Sequence, residues 1–120
     1  MKLPKSLKIG HEEIKIEIVP THLSYELCRE EGSFHSHLRT IFISQDIVER
    51  GGAALVNVLI HEIMHVAYWL YNLNKESTEE DIVNCMSNVL TEVLIRADLL
   101  TNLKGILNDI IKSKRQKTIN

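Results

Sequence analysis

At 120 residues and 13.8 kDa the chain is long enough for one domain with one core and too short for two. Its 44% apolar content excludes a disordered chain, and no apolar run reads as the roughly 18 residues that a bilayer crossing needs, which argues against an integral membrane protein. A net charge of -2 points to neither nucleic acid nor a membrane as partner; the charged N-terminus does not read as a secretion signal, and two cysteines, Cys28 and Cys85, fit a reduced, cytoplasmic setting.

In chain order, Leu7 and Ile9, a turn at Gly10, and the alternation of Ile14, Ile16 and Ile18 with Lys15 and Glu17 predict a β-hairpin over residues 7–19, ended by Pro20. From Thr21 to His37 the pattern is weak. Leu23, Tyr25 and Leu27 alternate, and Glu30-Glu31-Gly32-Ser33 reads as a turn. Residues 38–44, LRTIFIS, read as another strand, so a small antiparallel sheet of about three or four strands is expected.

After Gly51-Gly52 the period changes. Leu59, Ile63, Val66, Leu70 and Leu73 form one apolar stripe, which predicts a helix from Ala53 to about Leu73 in the middle of the fold. Asn57, His61, His65, Tyr68 and Asn72 form a polar stripe beside it. Ser77 with Glu80, and Thr78 with Asp81, each have capping-box spacing, so a second helix starts there and buries Ile82, Met86, Val89 and Val93 as far as about Arg96. Asp98 is placed to cap a third helix holding Leu99, Leu103, Ile106 and Ile110. The whole reads as an α+β domain over residues 1–111, with residues 112–120 a basic tail that frays.

His61-Glu62-Ile63-Met64-His65 is an HExxH sequence inside the most strongly predicted helix. Side chains four apart share one helix face, so two imidazoles can grip one zinc ion. Glu62, rotated off that axis, can reach a water at the metal and act as its general base, while zinc brings the water's pKa from 15.7 towards about 7. Polar groups on a mostly apolar helix need partners, and a metal is one.

A catalytic zinc usually has three protein ligands. The metzincin extension is missing, because Tyr68 and Tyr71 stand where glycine and histidine would be needed. Glu76, Glu79, Glu80 and Asp81 are the acidic candidates, and the loop is long enough to bring them back to the level of His65. Helical angle favours Glu79 as the more buried. The polar stripe of Glu80, Asn84, Ser87 and Thr91 favours Glu80, whose plainer role is a capping partner for Ser77.

HEIMH, a short loop, then Glu80-Asp81-Ile82-Val83-Asn84 resembles the two-part pattern of gluzincin metallopeptidases, HExxH followed by ExxA(D/N) on the next helix. It is most similar to the minimal ImmA/IrrE-like proteins and to small metallopeptidase-like proteins of phages and prophages. The motifs support the resemblance over residues 38–96, and Val83 departs from the usual alanine. The resemblance implies a zincin-like minimal core, Glu80 as third zinc ligand, Asn84 as the residue orienting it, and cleavage of a specific protein substrate.

Weaker candidates remain. His35 and His37 read first as a solvated hairpin tip, and otherwise as a metal pair or substrate contact. Tyr68 reads as an amphipathic core residue with its hydroxyl at the surface, or as an oxyanion donor. The expected function is zinc-dependent peptide hydrolysis, with residues 38–44 as the edge strand that pairs with substrate. The alternative is a zinc-stabilised, non-catalytic binding or regulatory module of a phage or mobile element.

Overall fold

The structure, a computed structural model, describes residues 3–23, 31–95, 104–105 and 108–115. It is an α+β fold. Strands β1 (Ser6–Ile9) and β2 (Glu12–Val19) form the expected hairpin. After a single 3-10 turn (Thr21–Leu23) come β3 (Gly32–His35), a second 3-10 turn (Ser36–Leu38) and β4 (Thr40–Ser44). Helices α1 (Gln45–Arg50), α2 (Gly52–Leu70) and α3 (Glu79–Ile95) follow, and residues 104–105 and 108–115 are helical.

The sheet order is β1-β2-β4-β3, with β2 and β4 parallel and the other pairs antiparallel. The sheet is therefore mixed, which corrects the all-antiparallel expectation. Between β2 and β4 the chain first lays down β3, so β4 enters beside β2 in the same direction. A second correction follows. Residues 38–44 do not form an edge strand: β4 is central, buried along its whole length, and pairs on both sides. The edge strands are β1 and β3, and β3 begins at Gly32 inside the segment read as a turn.

Leu7, Ile9, Ile14, Ile16, Ile41 and Ile43 project from one sheet face onto Leu55, Leu59, Ile63 and Val66 of α2, and Val89 and Val93 of α3 close the same core. Alternation along β3 and β4 sends Phe42 and His35 to the opposite face, where their rings meet edge-on at 4.9 Å. By length and composition α2 alone, among the described helices, could cross a membrane (mean hydropathy 1.4). This differs from the expectation of no such run; within the fold Leu55, Leu59, Ile63 and Val66 of this helix pack in the core under the sheet.

Gly51 closes α1 by donating its N–H to the Ile47 carbonyl at 3.0 Å, and its φ of 60 lets the chain turn at once into α2. At the far end Asn72 takes the left-handed conformation, φ 54, and ends the helix slightly before the expected Leu73. The start of α3 is settled by Thr78, whose hydroxyl accepts the Asp81 N–H at 3.1 Å; the Ser77 hydroxyl instead accepts from Asn74 at 2.9 Å. Asp98, Leu99, Leu103 and Ile106 lie outside the described residues, as does Cys28. The C-terminal helix runs to residue 115, into the stretch expected to fray.

Candidate metal centre

One helical turn separates His61 and His65, and both side chains leave α2 on its exposed stripe. Their Nε2 atoms stand 3.2 Å apart, with ring centroids at 4.8 Å. Two ligand nitrogens at about 2.0–2.1 Å from a tetrahedral zinc lie about 3.3–3.4 Å from each other. The observed separation is close to that spacing. Without one, a neutral ring can donate its Nε2 proton to its neighbour.

Glu62 turns the other way, into the fold. It is only 4% exposed, and its Oε2 lies 4.0 Å from His61 Nε2. The cause is β3, which crosses α2 at this level: the Phe34 N–H, on the open side of the strand, donates to the Glu62 carboxylate. Phe34 itself packs edge-on against Trp69 at 5.6 Å, and the Arg39 guanidinium sits 5.5 Å over the same indole. Burial raises the Glu62 carboxyl above the ordinary carboxylate range; the His65 and His61 imidazoles and the Phe34 N–H pull it down without cancelling that effect. A carboxyl poised this way favours accepting a proton.

Gly32 makes this approach possible. A Cβ at that position would meet Val58 Cγ1 at 2.9 Å and Glu62 Cγ at 3.4 Å. Beside it is a cavity of about 210 Å³, lined by Glu31, Gly32, Asn57, Val58, His61 and Glu62.

The structure thus brings His61, Glu62 and His65 together. Among the described residues no group of three His, Cys, Asp or Glu side chains is arranged to hold a metal ion. Glu79 and Glu80 are both exposed in the first turn of α3, so the expected burial of Glu79 is not found. Asn84 is exposed on the next turn, where its carbonyl accepts from Ser87 at 3.1 Å. Tyr68 is 40% exposed, one turn beyond His65. His35 lies on the sheet face away from α2, with its Nε2 3.2 Å from the Ser33 hydroxyl and its ring 6.0 Å from that of His37.

Sequence reasoning missed the Phe34 amide, Gly32 and Glu31. No side-chain motif marks a backbone donor. Asn57, by contrast, was visible as the residue one turn before His61 on the polar stripe. No family model, curated protein or solved structure matches the chain.

Proposed function

We propose that the chain is a zinc-dependent peptide hydrolase acting on a specific protein substrate. The observation that supports this most is Glu62, a carboxylate buried beside two exposed imidazoles whose nitrogens are spaced for one ion. A site built only to fasten helices has no need of such a group, and burying it is costly. That argument favours the hydrolase over a zinc-stabilised binding module.

In this reading His61 and His65 hold the ion through Nε2, and Glu80, by resemblance, is the third ligand, with Asn84 orienting it. When bound, zinc supplies Lewis acidity, which acidifies water and polarises a peptide carbonyl. Glu62 takes the proton from the attacking water on its carboxylate and returns it to the leaving amine. The Phe34 N–H fixes the carboxylate's direction, and the surrounding β3–α2 contact excludes bulk solvent from one side of it. An extended substrate would pair along β3, an edge strand of the sheet. Tyr68, on the same helix face as His65, would donate to a developing oxyanion.

The test combines metal content with hydrolysis. Glu62→Gln is expected to keep zinc and the fold and to lose cleavage of peptide substrates by at least ~100-fold. His61→Ala is expected to lose zinc, and Glu80→Ala to lower zinc affinity more than Glu79→Ala. Cleavage surviving in Glu62→Gln overturns the assigned base. Equal effects of the two glutamate variants remove Glu80 as ligand.

A further inference from the structure

The cavity beside Glu62 is too small for a whole ligand, since such pockets usually exceed about 300 Å³, but about 210 Å³ suits one long side chain. Its lining is polar and lopsided in charge. Glu31 supplies a carboxylate at the exposed end, Asn57 a carboxamide, His61 an imidazole, and the buried Glu62 a carboxyl that already accepts from Phe34; among the described residues that line it Val58 is the one large apolar side chain, and none is a lysine or arginine. A cation entering such a cavity finds the acceptors it needs to offset lost hydration, whereas an apolar side chain would leave them unpaired.

The molecule itself shows what Glu31 takes. Arg50 of α1 places its guanidinium Nη1 3.3 Å from Glu31 Oε1. Both side chains are at least half exposed, 61% and 50%, so this is a surface pair that water and competitors exchange readily. The rim carboxylate is therefore held near the cavity mouth by a partner it can share or release. Gly32, bearing no side chain, keeps the passage between Glu31 and Glu62 open.

We propose that this cavity is a specificity pocket that receives a basic side chain, arginine or lysine, of an extended peptide, with Glu31 as the residue that selects it. The position of that side chain next to the scissile bond rests on the hydrolase reading, because His61 and Glu62 also line the pocket. The pocket's preference for a cation does not.

Two probes test it on the full chain, acetyl-arginine amide and acetyl-norleucine amide, titrated by NMR into the metal-free and zinc-loaded protein. The arginine probe is expected to bind about tenfold more tightly, to shift the amide signals of Gly32, Asn57 and Val58, and to weaken as salt is raised. Glu31→Gln, a substitution at an exposed residue, is expected to erase the difference. Equal binding of the two probes, or an unchanged preference in Glu31→Gln, overturns the pocket. Peptide cleavage with no preference for arginine over leucine overturns it also, while leaving the hydrolase intact. Arginine-selective binding in a chain that takes up no zinc supports the pocket and removes the hydrolase reading.

Discussion

Gly32 lies where β3 packs tightly on the motif helix, and its lack of a side chain leaves room for Val58 and Glu62. The added methyl of Gly32→Ala would sit 2.9 Å from Val58 Cγ1 and 3.2 Å from the Phe42 carbonyl oxygen, so β3 or α2 must shift. Overpacking of this kind costs about 1–3 kcal/mol. The variant is expected to lose stability by that amount in denaturant unfolding, and to weaken the Phe34 contact on Glu62, seen as faster hydrogen exchange at the Phe34 amide than in the parent chain. An unchanged midpoint would mean that strand and helix are less tightly opposed. Nothing in the sequence announced this role, because Gly32 stands in a run, Glu30-Glu31-Gly32-Ser33, whose composition is that of a turn. His61, Glu62 and His65 were legible at once, since their chemistry is carried by side chains at a fixed helical period.

At the scale of elements, legibility follows length and periodicity. The hairpin and α2 announce themselves through several repeats of two or of about 3.6 residues. Helix α1 does not: Gln45–Arg50 contributes only Ile47 and Val48 as apolar residues, and it exists because Ser44 accepts the Asp46 N–H and Ile47 enters the core. Strand β3, half-buried throughout, is held by its pairing with β4 and has no alternation of its own. The start of α3 lies between these cases, with two overlapping capping signals of which one is used. Thr78→Ala removes the hydroxyl that accepts the Asp81 N–H and is expected to cost about 1 kcal/mol, with faster hydrogen exchange at the Asp81 amide. Ser77→Ala breaks a loop contact to Asn74 and should leave that amide's protection unchanged. Reversed results would move the helix start by one residue and with it the direction of Glu80.

For the molecule as a whole, the core and the candidate metal centre are separable. One apolar cluster already joins β1, β2, β4, α1, α2 and α3, so the chain does not depend on an ion to connect its layers. The imidazole pair stands outside that cluster, on the exposed side of α2. An ion that binds the folded chain and not the unfolded one adds stability by mass action, about 2.7 kcal/mol at a free concentration 100 times its Kd. For a chain of this size that corresponds to a rise in Tm of roughly 10 °C. The metal-free protein is accordingly expected to fold and melt cooperatively, zinc to raise its Tm, and a chelator to return it to the metal-free value. Only neutral imidazole binds the ion, so the zinc-dependent part of the rise is expected to shrink as the solution is made acidic. His61→Ala should show the metal-free Tm at every zinc concentration. If zinc leaves the Tm of the parent chain where it was, the two nitrogens 3.2 Å apart do not hold it in the folded state, and the hydrolase reading falls with them.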